Sequence, residues 1–447
     1  MKASIETKDL QKFSKSFGKD RANLVAMNAV ASAGVNKAAA NVYKQANNQY
    51  GFSVEVESGK VCNQKQSGRC WMFASYNVMR LNVMEKLNLD NMELSQAYPL
   101  FYDKLEKSNY FLENILETLD KDVDGRVVSF LLSDPIGDGG QWDMFRSLTY
   151  KYGVVPKDVM PETAVSSATA ELNKYLKTKL RGYACQLRKS FAAGKSMNEL
   201  RKEKDEMLET IYRMLSISLG EPPKTFTWET RDKDKKFVKI ENITPQEFFA
   251  KYVDMNLDDY VTVINAPTKD KPYGKTFTVA HLGNVKGGQY PVKYLNLPME
   301  DLKKLTIKQL KDNKIVWFGS DVGQFSDRRG GYLTLDSIDV EQLFNTTFPM
   351  TKAERLDFGE SLMTHAMAIT GVDLDKSGKP IRWKVENSWG KDVGNDGYYV
   401  MSDEWFEEYA YQILLNKKYF TKKQAEQFEQ EPIVLKPWDP MGSLAID

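Results

Sequence analysis

The sequence is poor in the residues that build disulfide scaffolds, imidazole clusters and membrane spans. Its three cysteines, Cys62, Cys70 and Cys185, are too few to brace 447 residues, and no two of them form a Cys-x-x-Cys pair. Two histidines, His281 and His365, are the only sources of an imidazole. The apolar runs fall well short of the ~20 residues that a membrane helix needs, which excludes a transmembrane protein.

The chain also lacks an excess of either charge. Its 62 Lys and Arg residues against 61 Asp and Glu leave a formal net charge of +1, which gives no electrostatic reason to bind nucleic acid or an anionic membrane. Residues 231–239 are rich in lysine, but interleaved aspartates predict a solvated loop. The first nine residues mix charges and lack the apolar run of a signal peptide, so we expect a cytoplasmic protein with free thiols.

The length is roughly three times the ~150 residues of a typical domain, which predicts a core enlarged by insertions. Apolar and helix-forming residues at helical spacing predict helices over 7–47 and 168–219, the latter with breaks at Gly182 and Gly194. The same spacing predicts an amphipathic helix over 70–88. The C-terminal half is predicted to carry a sheet, with strands at 260–264, 315–318, 365–369, 381–385 and 397–401.

Cys70 is the first candidate for chemistry. It follows the turn Gln66-Ser67-Gly68 and begins the predicted helix. A thiol at a helix N-terminus lies at the positive end of the helix dipole, which favours the thiolate and therefore a nucleophile. A single cysteine is more often a buried, inert thiol, so this interpretation depends on the residues that accompany it.

Three further residues fit a nucleophilic cysteine. Gln64 lies on the loop before the helix, where its amide hydrogen can reach an oxyanion beside the Cys70 backbone N–H. His365 lies in a strand-like run, and Asn387 follows 22 residues later. An imidazole accepts the thiol proton, and an amide oxygen fixes its tautomer. Alone, these are a loop glutamine, a core histidine and a turn; together, in the order Gln, Cys, His, Asn, they indicate a catalytic site.

The pattern resembles the papain-like cysteine peptidases in Gln64, Gly68-Arg-Cys-Trp71, His365-Ala366 and Asn387-Ser-Trp-Gly390. Two departures, Arg69 in place of Ser or Ala and a Cys-to-His separation about twice the usual ~130–150 residues, point to one subfamily. The chain resembles the aminopeptidase C and bleomycin hydrolase family nearly end to end. The further matching motifs are Asn63-Gln-Lys-Gln-Ser-Gly-Arg-Cys-Trp-Met-Phe73, Glu93-Leu-Ser-Gln96, Gly139-Gly-Gln-Trp142, Tyr294-Leu-Asn296, Val316-Trp-Phe-Gly319 and Pro437-Trp-Asp-Pro-Met-Gly442.

The resemblance implies an α+β, papain-like fold whose helical half carries the nucleophile and whose β-sheet or barrel half carries the histidine and asparagine. The implied organisation is an N-terminal arm (1–60), the helical half (61–165), a helical insertion (166–255), the β half (256–430) and a C-terminal tail in the cleft (431–447). The implied roles are Cys70 as nucleophile, His365 as base and then acid, Asn387 as its orienter, Gln64 in the oxyanion hole, and Gly139, Gly140, Trp389, Ala445 and Asp447 in substrate binding.

The resemblance also implies peptide substrates, a homohexameric barrel, and no metal or cofactor. In the family the tail's terminal carboxylate holds the free amino group of the substrate, which makes an aminopeptidase. This chain continues by Ile446-Asp447 beyond the usual Gly-x-Leu-Ala ending, so an oligopeptide endopeptidase remains an alternative. A non-catalytic barrel that binds or scaffolds is a second alternative, although all four catalytic positions hold competent residues.

Overall fold

The computed structural model describes residues 3–45 and 49–445. The α-helices are α1 Thr7–Lys19, α2 Arg21–Ala33, α3 Val35–Ala38, α4 Val42–Gln45, α5 Cys70–Lys86, α6 Ala97–Leu116, α7 Arg126–Ser133, α8 Trp142–Tyr152, α9 Ala170–Ala192, α10 Met197–Leu219, α11 Pro245–Phe248, α12 Met299–Lys311, α13 Val340–Phe344, α14 Lys352–Asp357, α15 Asp403–Tyr409 and α16 Lys422–Phe428. A π-helical turn covers Phe249–Val253, and 3-10 turns cover Leu257–Asp259, Lys417–Tyr419 and Pro440–Ala445.

The strands are β1 Val54–Glu55, β2 Phe226–Arg231, β3 Phe237–Ile243, β4 Tyr260–Ile264, β5 Thr276–Val279, β6 Tyr294–Asn296, β7 Val316–Ser320, β8 Ser326–Asp327, β9 Tyr332–Leu333, β10 His365–Leu374, β11 Pro380–Glu386, β12 Tyr398–Ser402, β13 Ala410–Asn416 and β14 Ile433–Leu435. One mixed sheet runs in the order β14-β5-β6-β4-β13-β7-β10-β11-β12-β9-β8, and β1 pairs with β10. The five predicted strands are therefore confirmed as β4, β7, β10, β11 and β12.

Helix α5 is the centre of the helical half. The sequence predicted this helix over 70–88, and it ends two residues earlier, at Lys86. Its residues are buried on nearly every side, as in a helix enclosed by protein. It packs on β10 and β7, and the indole nitrogen of Trp317 in β7 donates to the Trp71 carbonyl at 3.3 Å. The start of α5 is thereby held against the sheet.

The region over 168–219 is helical, but one predicted break is wrong. Helix α9 runs through Gly182, whose surroundings are open, and the real break is at Gly194. A mid-helix glycine costs only ~1 kcal/mol relative to alanine, which a helix of 23 residues tolerates.

The lysine-rich stretch after α10 contains the predicted solvated loop, since residues 232–236 form the largely exposed turn between β2 and β3. It lies in the antiparallel hairpin β2–β3, in which Trp228 pairs with Ile240 and both side chains are buried. Alternate apolar residues support the hairpin, but the charges between them dominate the local sequence. This hairpin falls inside the range that was expected to be a helical insertion.

The N-terminal helices α1 to α4 bury none of their own residues. Their apolar side chains are exposed, among them Leu10, Phe13, Phe17, Val25 and Met27. Asn47, where the helical region was predicted to end, lies outside the described residues. Across residues 3–45 and 49–445, no helix is both long and apolar enough to span a bilayer.

Candidate active site

His365 and Asn387 meet at one end of two neighbouring strands. His365 is the first residue of β10, and Asn387 directly follows β11, which pairs antiparallel with β10. The Nε2 of His365 lies 2.8 Å from Oδ1 of Asn387. Because an amide oxygen only accepts, Nε2 must carry the hydrogen, which leaves Nδ1 as the nitrogen that can accept a proton.

Trp389 covers this histidine. Its ring lies 4.8 Å from the imidazole, centroid to centroid, at an interplanar angle of 32°. The guanidinium of Arg328 also lies over the Trp389 ring, 4.5 Å from its centroid. The indole therefore keeps water away from the bond between His365 and Asn387.

His365 is strongly affected by burial. Burial lowers its pKa to about 4, the hydrogen bond to Asn387 acts in the opposite direction, and the charge of Arg328 lowers it further. The imidazole is therefore neutral near pH 7 unless an anion lies beside it. A thiolate is such an anion, and an ion pair would keep the imidazolium in this buried position.

Cys70 is the first residue of α5 and is 4% exposed. The positive end of the helix dipole falls on its thiol, as the sequence predicted. Since α5 packs on β10, the helix that begins at Cys70 and the strand that begins at His365 share one helix–sheet interface. The other two cysteines differ from Cys70: Cys62 does not begin a helix and burial raises its pKa, and Cys185 is exposed within α9.

Gln64 connects the loop before α5 to the segment that carries Asn387. Its backbone N–H donates to the Ser388 carbonyl at 2.8 Å, and its Oε1 accepts from the Ser388 hydroxyl at 2.5 Å. Its Nε2 donates to the Ser67 carbonyl at 2.6 Å. A carboxamide nitrogen has two hydrogens, so the second one is available to an oxyanion near Cys70.

Arg69, the departure from the papain pattern, is a structural anchor of the turn before Cys70. Its guanidinium is fully buried and binds Glu162 through two bonds of 2.9 Å, while Nε donates to the Ser67 hydroxyl. A planar guanidinium is suited to such a two-bond contact. The turn that presents Cys70 is therefore fixed from below.

Asp138 is a residue that the sequence did not single out. Its carboxylate accepts from Gly68 N–H at 2.9 Å and from Lys104 Nζ at 2.6 Å, and its carbonyl accepts from the Trp71 indole at 2.7 Å. Thr169 and Asn173 donate to it as well. Although burial raises it, the Lys104 charge and these hydrogen bonds hold the pKa of Asp138 well below its usual range. Asp138 thus ties the turn before Cys70 to the helical half.

Gly139 and Gly140 are glycines because nothing larger fits. A Cβ on Gly140 would lie 2.5 Å from the Trp71 indole, and a Cβ on Gly139 would lie 2.2 Å from the Leu444 carbonyl oxygen. The Gly139 carbonyl accepts from Lys107 Nζ at 2.5 Å. The C-terminal tail therefore lies directly on the Gly139 backbone. The next residue, Gly140, lies against the indole of Trp71, which follows Cys70.

The tail is docked over its described length. Lys271 forms an ion pair with Asp439 at 2.9 Å, Tyr294 donates to the Met441 carbonyl at 3.2 Å, and Ser443 donates to the Met363 carbonyl at 2.9 Å. Ala445 lines a cavity between α6 and the loop after β5. Asp447 lies outside the described residues.

His281 is placed away from this arrangement. It lies in the loop after β5 with φ of 58°, and its Nδ1 is 3.3 Å from Oδ1 of Asn114 in α6. Burial lowers its pKa. Among residues 3–45 and 49–445, no group of three or more His, Cys, Asp or Glu side chains is placed to hold a metal ion.

A helix that begins at a cysteine and packs on a sheet with a histidine–asparagine pair is the arrangement of the papain-like cysteine peptidases. The sequence model of the Peptidase C1-like family matches residues 4–442. The chain belongs to this family, and the predicted papain-like fold and membership of the cysteine hydrolases are confirmed.

Individual relatives agree over the full length. The chain is 49% identical over 446 residues to aminopeptidase C of Listeria monocytogenes, with 100% of each chain covered. It is 45% identical over 401 residues to bleomycin hydrolase of Gallus gallus, with 88% of each covered. The crystal structure of PepW from Lactobacillus rhamnosis HN001 superimposes with a TM-score of 0.97 at 50% identity, covering 99% of each chain. The predicted subfamily is therefore confirmed.

Proposed function

We propose that the protein is a cysteine aminopeptidase that removes N-terminal residues from peptides through an acyl-enzyme on Cys70. The observation that carries this proposal is the tail, whose Leu444 carbonyl lies against the Gly139 backbone beside Trp71. A peptide that lies along Gly139 and Gly140 would meet the tail after a short distance. In this proposal the tail closes one side of the cleft, so that only the N-terminal end of a peptide can be placed next to Cys70.

In the proposed mechanism, the Cys70 thiol gives its proton to Nδ1 of His365, and the thiolate attacks the substrate carbonyl carbon. The oxyanion accepts from Gln64 Nε2 and the Cys70 backbone N–H. When the carbon–nitrogen bond breaks, the imidazolium gives its proton to the departing amine, which leaves a thioester. Asn387 keeps the ring oriented throughout. Water then loses a proton to His365, attacks the thioester, and releases the acid as the thiol is restored.

Truncation of the tail tests the proposal. We expect the protein of residues 1–447 to shorten a decapeptide with a free N-terminus and to leave its N-acetylated form untouched. Deleting residues 443–447 removes the segment that lies on Gly139, so cleavage should shift toward internal bonds and include the acetylated peptide. The products are identified by mass spectrometry after equal digestion times.

A protein of residues 1–445 is the matched control, because it keeps the described tail and lacks only Ile446 and Asp447. It should remain an aminopeptidase, and a higher rate than that of 1–447 would assign an inhibitory effect to these two residues. Equal cleavage of the free and acetylated peptides by the 1–447 protein would contradict tail-limited specificity and favour the endopeptidase.

We further propose a homohexamer and a cytoplasmic location. The exposed apolar side chains of α1 and α2 support assembly, because surfaces of this kind are usually covered. Light scattering should give six times the 51.1 kDa chain mass, and a monomeric mass would contradict the hexamer.

The cytoplasmic location is supported by the free thiols Cys62 and Cys185, which suit a reducing compartment. Cell fractionation tests this location.

The division into an arm (1–60), a helical half (61–165), an insertion (166–255), a β half (256–430) and a tail (431–447) remains part of this proposal. It is supported by the position of α5 in one half and of β10 and β11 in the other. Limited proteolysis should cut first between these ranges, and early cuts within 256–430 would argue against the division.

A further inference from the structure

Arg328 is a charged residue beside the site that the proposed mechanism does not use. It lies in the turn between β8 and β9, and its guanidinium lies over Trp389, the residue whose ring stacks on His365. A cation on an aromatic face is favourable. Its charge also reaches the imidazole, since it contributes to the lowered pKa of His365. Arg328 therefore forms the outer layer of the wall on the histidine side.

The turn that carries Arg328 is held in place. Oδ1 of Asp327 accepts from the backbone N–H groups of Arg329 at 3.1 Å and Gly330 at 3.0 Å. The hydroxyl of Tyr399 donates to the Arg328 carbonyl at 2.8 Å, and the ring of Tyr399 packs edge-on against Trp389 at 5.9 Å. The backbone is thus fixed to the same aromatic wall as the guanidinium.

The charge of Arg328 is not neutralised within the part of the chain that the structure describes. No Asp or Glu oxygen in residues 3–45 and 49–445 lies within 4.0 Å of its guanidinium, and the side chain is exposed. Arg69 and Arg80, by contrast, are buried and bind Glu162 and Glu386. An exposed arginine fixed next to a reacting group and lacking a carboxylate partner has the capacity to bind one from a ligand.

The position of Arg328 relative to the C-terminal tail indicates which part of a bound peptide would reach the guanidinium. The tail lies on Gly139, on the helical side of Cys70, whereas Trp389 and Arg328 lie on the sheet side. A peptide whose N-terminus faces the tail therefore extends its C-terminal part toward Arg328. The Trp389 ring lies between the two side chains. Its centroid is 4.8 Å from the centroid of the His365 ring and 4.5 Å from the Arg328 guanidinium. Since one extended residue spans ~3.3–3.6 Å, the second or third residue after the cleaved bond reaches it.

We propose that Arg328 is a specificity-determining residue that binds a carboxylate on the departing part of the peptide, within two or three residues of the cleaved bond. The carboxylate comes from the C-terminus of a short peptide or from an acidic side chain. This inference rests on the proposed peptidase function and adds a preference among its substrates. Tripeptides with a free C-terminus are the substrates that fit it best.

The experiment compares kcat/KM for Ala-Ala-Ala and Ala-Ala-Ala-amide, and for Ala-Ala-Asp-amide and Ala-Ala-Asn-amide. Each pair differs in one carboxylate, at the C-terminus or on a side chain. We expect the unaltered protein to prefer the carboxylate member of at least one pair, and Arg328→Gln to lower that preference roughly fivefold to tenfold, mainly through KM. Arg328→Lys should restore part of it, and added salt should weaken it.

Arg329→Gln is the matched control. Arg329 is the next residue and is also exposed, so this change removes the same charge from a neighbouring position. It should leave the preference unchanged. An equal effect of Arg329→Gln and Arg328→Gln, or an equal loss for both members of each pair in Arg328→Gln, would overturn the proposal. Cleavage of all four peptides without any preference would overturn it and leave the peptidase standing, whereas cleavage of none would reject the peptidase itself.

Discussion

Cys70→Ala is expected to abolish peptide hydrolysis and to leave the fold unchanged. Cys70 begins α5, whereas burial raises the pKa of Cys62 and Cys185 is exposed within α9. The loss should be many orders of magnitude, because the acyl-enzyme cannot form without the sulfur. Alanine is the strongest helix former and keeps α5 intact.

The measurement is turnover of an unblocked peptide by mass spectrometry, with circular dichroism to verify the fold. Cys185→Ala serves as the control, since it removes a thiol that is exposed and outside the site. It should retain full activity. Substantial hydrolysis by Cys70→Ala, or its loss in Cys185→Ala, would show that the nucleophile lies elsewhere.

The same variant reports the state of His365. With the sulfur absent, no thiolate holds a proton on the ring, and burial should leave the pKa of His365 at about 4. This value lies below the ~6.5 of an unfolded chain, so only the unfolded state gains a proton between these two pH values. The stability of Cys70→Ala should therefore be complete above pH ~6.5 and fall as the pH drops toward 4. Titration of the ring by NMR tests this, and a pKa near 6.5 would contradict a buried imidazole.

The residues that do the proposed chemistry could be predicted from the sequence because their local patterns are distinctive. Cys70 follows a glycine turn and begins a helix, and Asn387 begins a conspicuous motif. The contact between His365 and Asn387 depends on the register in which β10 and β11 pair, and local sequence patterns do not determine that register. The family resemblance supplied that long-range information.

Asp138 and Arg328 could not be predicted because their importance arises from contacts distant in sequence. Asp138 lies 70 residues from Gly68, and Arg328, in the turn between β8 and β9, contacts the ring of Trp389 in the loop after β11. Nothing in the neighbouring sequence distinguishes either one. The helix through Gly182 shows the converse case, in which a local break signal is overridden because the helix around it buries Leu180 and Ala184.

Two buried ion pairs hold the parts of the site together. Arg80 of α5 binds Glu386 at 2.6 Å, and Glu386 directly precedes Asn387. Lys104 of α6 binds Asp138 at 2.6 Å, and Asp138 holds Gly68. Buried pairs contribute little net stability, because desolvation offsets their attraction, but removing one partner is costly. We therefore interpret both pairs as positional restraints on the loop and the strand end that meet at Cys70.

Asp138→Asn should be the most destabilising of the conservative changes near the site. It removes the ion-pair partner of the fully buried Lys104 ammonium, which costs about 3–5 kcal/mol in comparable buried pairs. It also weakens the acceptor of Gly68 N–H, so the turn before Cys70 loses its anchor. A small displacement of that turn should lower kcat by roughly 10²-fold. Urea unfolding and steady-state kinetics measure the two effects.

The pair itself is tested by combining Asp138→Asn with Lys104→Met. If the cost arises from the uncompensated charge, the double variant should be more stable than the sum of the two single changes predicts. Glu300→Gln, which breaks the exposed pair with Lys304, is the control and should not change stability measurably. The wild-type pair should persist in mild acid, because the pKa of Asp138 lies well below its usual range; its stabilisation is complete above the ~3.9 of an unfolded chain and declines as the pH falls from there through the lowered value. Additive single effects would show that Asp138 acts through its hydrogen bonds to Gly68, Thr169 and Asn173 and not through the charge of Lys104.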